Sequence, residues 1–179
     1  MRKLSLGILA AIALGLLAGA STFKNVPFAA PKPQEPDVTQ SATITTALGK
    51  DMAIVARVID GDTVELADGE HLRYIGMDAP ETVNPKKPIQ CFGPESSARN
   101  KELIEGKVVR LEKDVEDKDK YGRLLRYVWL GGTMIDLELV KEGYARAYPY
   151  PPDTKYAKEF AAAEASAKVV RLGLWRACK

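Results

Sequence analysis

The 179-residue chain predicts an α+β fold: five strands in a small Greek-key β-barrel with three helices packed outside. Three observations predict it. The elements come in the order three strands, helix, two strands, two helices. The β-branched runs are punctuated by Gly-containing turns at hairpin spacing, whereas the stretch after Asp153 is alanine-rich. Hydrophobic residues make up 46% of the chain, enough to fill one compact core, and no second long apolar block follows the N-terminus.

Residues 52–59 are β-branched and bounded by Asp60-Gly61, which predicts the first strand. Residues 63–66 form the second, and Asp68-Gly69 is a strong hairpin signal before a third strand over 71–77. A polar loop with three prolines and two lysines fills 78–92. Gly93-Pro94-Glu95 opens a helix, because Pro suits the first turn and Glu its positive end. That helix runs to about Glu105 and stops at Gly106. Strands follow over 107–113 and 123–130, with a charged run over 112–120 between them. Gly131-Gly132 turns the chain into a short helix over 134–142, and Asp153 is the expected N-cap of a long helix reaching about Arg171. Five strands in this order fit a barrel of the OB type.

The N-terminus stands apart. Met1-Arg2-Lys3 is a positive n-region, and residues 4–20 are uncharged, apolar and end in Ala18-Gly19-Ala20. This is a secretory signal pattern, which places the protein outside the cell. The rival is an uncleaved membrane anchor, since seventeen apolar residues sit at the lower limit for a bilayer span. No Cys follows the run, so a lipid anchor is not supported. Residues 21–49 contain four prolines and little to bury, which reads as a flexible leader. The expected organisation is therefore a signal over 1–20, a leader over 21–49 and one catalytic domain over 50–179. Residues 1–49 hold four of the 26 cations and two of the 24 acids, leaving 22 of each for 50–179. A globally basic nucleic-acid binder is excluded, and any phosphate attraction must be local. Two thiols in one domain in an oxidising compartment commonly pair, so a Cys91–Cys178 disulfide is expected to clamp the C-terminus to the loop before the first helix, with two buried or free thiols as the alternative; a mass shift on reduction and alkylation decides.

Four motifs carry chemistry. Asp60-Gly61-Asp62-Thr63 is a tight turn, or a carboxylate held at a rigid strand edge. Arg73 lies within a strand, with Asp78 and Glu81 just past its end and Pro80 restraining the backbone between them; the bland alternative is a helix start dressed with acids. Asp119-Lys120-Tyr121-Gly122-Arg123 reads alone as a charged hairpin loop, and Tyr148-Pro149-Tyr150 as a proline-rich connector or a stiff aromatic wall. Together they match the needs of phosphodiester hydrolysis. Hard carboxylates at Asp62 and Asp78 suit an oxygen-loving divalent ion. Glu81 can accept a proton from water, and Arg73 and Arg123 can grip phosphate oxygens in bidentate fashion. The tyrosines can stack on a base. His71 is the only histidine and reads as a solvent-facing strand residue, so a histidine metal site or Ser/His triad is not available. No P-loop and no Cys/His zinc set occur.

On these residues the chain resembles the thermonuclease family, also called staphylococcal nuclease-like. The carrying segments are residues 58–64, 73–82, Pro85-Lys86-Lys87, Gly93-Pro94-Glu95, 119–123 and 148–150, in the family's order over about 120 residues. The resemblance implies a five-stranded OB-type barrel with three helices. It implies a monomeric, Ca2+-dependent nuclease that cleaves DNA and RNA and leaves 3′-phosphates. It assigns Asp62 and Asp78 as side-chain calcium ligands and Ala79 as a backbone-carbonyl ligand, at a position where the family more often has Thr. Arg73 and Arg123 match the catalytic arginines and Glu81 the general base or water-orienting group. Lys87, Lys120, Tyr121, Tyr148 and Tyr150 match positions around the bound nucleotide. The cysteines and the Leu172-Gly173-Leu174-Trp175 end depart from the best-known member. Two other classes remain for comparison: a non-catalytic OB module that binds single strands, whose signature is a basic groove without an acid cluster, and a surface-anchored interaction protein, which explains the leader but none of the site residues.

Overall fold

A computed structural model describes residues 49, 51–86 and 88–179; the expected signal, all of the expected leader but Gly49, and Lys50 and Lys87 lie outside the described residues. Five strands form the barrel: β1 (Met52–Val58), β2 (Thr63–Leu66), β3 (His71–Tyr74), β5 (Val108–Glu112) and β6 (Leu124–Leu130). Antiparallel pairs run in the order β3, β2, β1, β5, β6. A parallel pairing of β3 with β6, Leu72 opposite Leu124, closes the ring and leaves no open edge there. Val55, Val64, Leu72, Val109 and Val128 are fully buried inside it. The predicted OB-type barrel is thus the observed one.

The helices cover the outside: α1 (Gly93–Ile104), α2 (Ile135–Lys141), α3 (Ala157–Val169) and a short α4 (Leu174–Ala177). Ile104, Ile135, Leu139 and Phe160 supply the buried side chains that hold the first three against the barrel. Short strands β4 (Met77–Asp78) and β8 (Arg146–Ala147) pair outside the ring, and β7 (Thr133–Met134) extends the edge of β6.

Three expectations are corrected. The strand foreseen over 71–77 is broken at Gly76, whose φ is +80° and which lies so close to Phe160 that a Cβ would sit 2.4 Å from its ring. The break sends Met77 and Asp78 to β8 rather than along the barrel wall. Asp153 does not cap α3. That helix starts after Tyr156, and Asp153 Oδ1 instead accepts the amides of Val115 and Glu116, at 2.9 Å each. The C-terminal helix ends at Val169, and positive φ at Arg171 and Gly173 turns the chain into the fourth, unforeseen helix. Leu174 N–H then donates to Gly143 O at 2.9 Å, and Cys178 reaches Cys91, with which it forms a disulfide.

Candidate active site

The Asp60–Thr63 turn is held from below by α1. Asn100 Nδ2 donates to Asp60 O at 3.1 Å, while its Oδ1 accepts the Tyr74 hydroxyl at 2.9 Å. Gly61 is required by proximity, since a Cβ there would lie 2.2 Å from Ser96 Oγ and 2.5 Å from Ala79 Cβ. The Asp62 amide donates to Asp60 Oδ1, fixing the turn. Asp62 is 1% exposed. Its Oδ1 accepts from Arg73 Nη1 at 2.7 Å and from Thr63 Oγ1 at 2.9 Å; its Oδ2 accepts the Ala79 amide at 2.9 Å. Burial pushes the Asp62 carboxyl up to about 7, partly opposed by Arg73 and reinforced by Asp60.

Arg73 reaches this point because it lies opposite Thr63 in the β2–β3 ladder. Its fork is divided: Nη1 goes to Asp62, and Nη2 to Asp78 Oδ1 at 2.7 Å. Burial works against its charge, but Asp62 and Asp78 outweigh that and hold it above its ordinary value. Arg123 comes from the loop before β6. Asp119 Oδ1 accepts the amides of Tyr121 and Arg123, and Asp119 Oδ2 accepts Arg123 Nε at 2.7 Å. Arg123 Nη1 lies 3.4 Å from Thr63 Oγ1. The two guanidinium groups therefore meet at Asp62, Arg73 directly and Arg123 through Thr63. Burial raises the Asp119 carboxyl, yet Arg123 and the two amides hold it below the usual carboxylate range.

Glu81 is placed differently. Its Oε1 accepts the amides of Thr82, Val83 and Asn84 at 2.9 to 3.1 Å, so this oxygen turns into its own loop. No hydrogen bond joins it to either arginine or to Asp62 and Asp78. Its backbone is clasped by Gln90, whose amide donates to Glu81 O at 2.9 Å and whose Oε1 accepts the Glu81 amide at 3.1 Å.

Beside the arginines opens a cavity of about 440 Å³, lined by Arg73, Arg123, Lys120, Tyr121, Tyr148 and Tyr150. Tyr148 and Tyr150 lie nearly parallel, 13° apart with centroids at 6.3 Å, and both are more than half or about half exposed. Tyr121 is 72% exposed, with Lys120 and Arg123 over its ring. All the substrate positions expected from the sequence line this cavity except Lys87, which lies outside the described residues.

The acids fit a divalent cation. Asp60, Asp62 and Asp78 all act on one guanidinium, Arg73, so the acids outnumber the cation they share. Asp62 and Asp78 are hard oxygen donors, and the Ala79 carbonyl is the backbone group between Asp78 and Pro80. Among the described residues no three His, Cys, Asp or Glu side chains form a ready-made metal cluster.

Residues 71–177 match the family model described as staphylococcal nuclease homologue. The chain is 48% identical over 125 residues to the thermonuclease of Staphylococcus intermedius, covering 68% of this chain and 74% of that one. The chain belongs to the staphylococcal nuclease family. The thermonuclease of Staphylococcus hyicus is 46% identical over 124 residues, covering 68% and 73%. Endonuclease YncB of Bacillus subtilis (strain 168) is 44% identical over 124 residues, covering 66% of this chain and 59% of that one. Membership makes this chain a nuclease, a hydrolase, and the matched span contains Arg73, Asp78, Glu81, Arg123, Tyr148 and Tyr150. Sequence reasoning missed the supports: Thr63, which bridges Arg123 to Asp62; Asp119, which aims Arg123; and Gln90, which clasps Glu81. Only Asp119 had a local signal, an acid four residues before an arginine across a Gly turn.

Proposed function

We propose that the protein is an exported, Ca2+-dependent nuclease that hydrolyses DNA and RNA and leaves 3′-phosphate ends. The observation that carries this reading is the convergence of Arg73 and Arg123 on the Asp62–Thr63 turn, with Asp78 on the other nitrogen of the Arg73 fork, beside an aromatic-walled cavity. Asp62 and Asp78, with the Ala79 carbonyl, would hold the ion. When bound, calcium supplies the positive charge that neutralises phosphate oxygens and the acids around them.

The remaining work falls to the chain's own side chains. Tyr148 and Tyr150 stack or frame a base or sugar. Arg73 and Arg123 grip the phosphoryl oxygens and stabilise the charge added as water attacks phosphorus. Glu81 Oε1 is engaged by three amides, so Oε2 is the oxygen left to accept the proton of water. The P–O5′ bond breaks, the 5′-oxygen takes a proton from solvent, and the phosphate stays on the 3′ side. The signal pattern of residues 1–20 supports export.

Digestion of circular DNA and of RNA with calcium, then with excess chelator, tests the reading. We expect cleavage only with the ion, products from whose 3′ ends a phosphatase releases inorganic phosphate, and a loss of about 10²–10³ in kcat for Arg123→Ala. Cleavage that survives the chelator removes the calcium dependence, and full activity in Arg123→Ala removes the arginine's role.

A further inference from the structure

Glu81 and Gln90 form the neck of the loop that carries Glu81. Both backbone polar groups of Glu81 are taken by Gln90: its amide donates to Glu81 O at 2.9 Å, and its Oε1 accepts the Glu81 amide at 3.1 Å. Gln90 O in turn accepts the Gly93 amide at 3.0 Å, which ties the neck to the first residue of α1. Gly93 packs so tightly on this neck that a Cβ there would lie 3.2 Å from Glu81 O and 2.6 Å from Thr82 Cγ2. Next to Gln90 is Cys91, bonded to Cys178 at the end of α4. Phe92 follows with φ of +68°, and its ring stacks on Tyr144 at 5.4 Å. The far side of the bridge is also fixed, through Leu174 N–H on Gly143 O. The neck is thus closed by one glutamine and bolted by one disulfide to a segment 87 residues away.

We propose that Gln90 is the positioning residue for Glu81 and that the Cys91–Cys178 disulfide locks it there, so that nuclease turnover depends on the bridge being oxidised. This rests on the reading of Glu81 as the group that handles the attacking water. The carboxylate can meet water correctly only if the backbone beneath it stays in place, and the three amides on Oε1 move with that backbone. An ångström of misplacement costs about 10²-fold where positioning matters. Reduction by a small thiol takes two electrons and two protons: the S–S bond breaks, Cys91 and Cys178 become thiols, and two reductant thiols become a disulfide. The loop neck then loses its covalent tie and keeps only Gln90 and the non-covalent contacts of Phe92 and Gly93, and a nuclease met in a reducing compartment would turn over slowly.

The test uses the full chain with calcium and oligonucleotide substrate, at a temperature where circular dichroism shows every variant folded. Gln90→Met fills the same volume without an acceptor, and Gln90→Glu keeps one. We expect Gln90→Met to lose about 10-fold or more in kcat with KM unchanged, the scale of lost outer-shell support, and Gln90→Glu to recover most of it. A small dithiol should lower kcat of the native chain but add little in Gln90→Met, because both act through one neck. The Cys91→Ser, Cys178→Ser double variant should match the reduced protein. Native kcat in Gln90→Met, an equal loss in Gln90→Glu, or the same dithiol effect in both backgrounds overturns the proposal. Glu81→Gln serves as the separate control: if it keeps native kcat, the underlying reading of Glu81 fails whatever Gln90 does.

Discussion

Arg123 is aimed before substrate arrives. Asp119 fixes its backbone amide and its Nε, so little side-chain freedom remains to be lost when a phosphate binds. The Asp119 carboxyl stays below the usual range, and this hold persists into mild acid. Tyr148 and Tyr150 act in another way. Their rings are exposed and parallel, and they offer stacking surface. Replacing Tyr148 by Ala should cost about 1–3 kcal/mol of base stacking, seen as a raised KM with kcat nearly unchanged. A fall in kcat at constant KM would assign Tyr148 to the chemistry instead. Asp62, Asp78 and the two arginines could be picked out from the chain because each lies in a short motif and the motifs follow one another in the family's order. How the guanidinium groups divide between them could not, since Arg73 splits its fork across a ladder and Arg123 arrives through Thr63.

At the level of elements, the cavity's walls are tied together by two reciprocal carboxylates. Asp153 accepts amides from Val115 and Glu116, while Asp114 Oδ2 accepts the Lys155 amide and the Tyr127 hydroxyl. The turn after Tyr150 is thereby fixed to the segment that leads into the Asp119–Arg123 loop. Asp153→Ala strands two amides and should destabilise by about 1–3 kcal/mol, while Asp153→Asn keeps an acceptor and should lose less. Urea unfolding compares them, and equal losses would refute the clasp. Asp136, on α2, is fully buried and accepts the Val128 amide with both oxygens. Burial raises its carboxyl well above the ordinary value. A raised acid binds its proton more tightly folded than unfolded. Its contribution is therefore full at pH below the ordinary carboxylate value and declines as pH rises. Asp136→Asn should gain stability relative to the native chain between acid and neutral pH, measured by urea midpoints. A difference that stays flat with pH would contradict this. The misread N-cap at Asp153 has the same root as these contacts: an Asp before an alanine-rich run looks like a cap, and only a segment about forty residues upstream shows what it binds.

For the whole molecule, closure of β3 on β6 and the Cys91–Cys178 bridge join parts distant in the chain. The bridge closes a long loop, so reduction should lower unfolding stability by up to about 5 kcal/mol in the chain-entropy account, and often by less. A urea midpoint unchanged on reduction would deny it a stabilising role. The barrel and the placing of the main helices were legible in the chain, because β-branched runs and Asp-Gly turns are local signals. The ordered set of short motifs was enough to point to the family. Tertiary structure alone decided the break at Gly76, the fourth helix, the division of Arg73, the aim of Arg123 and the clasp on Glu81. Each of these depends on a close approach or hydrogen bond between groups that the chain's local pattern does not pair, and local propensity carries no record of which distant partner will be there.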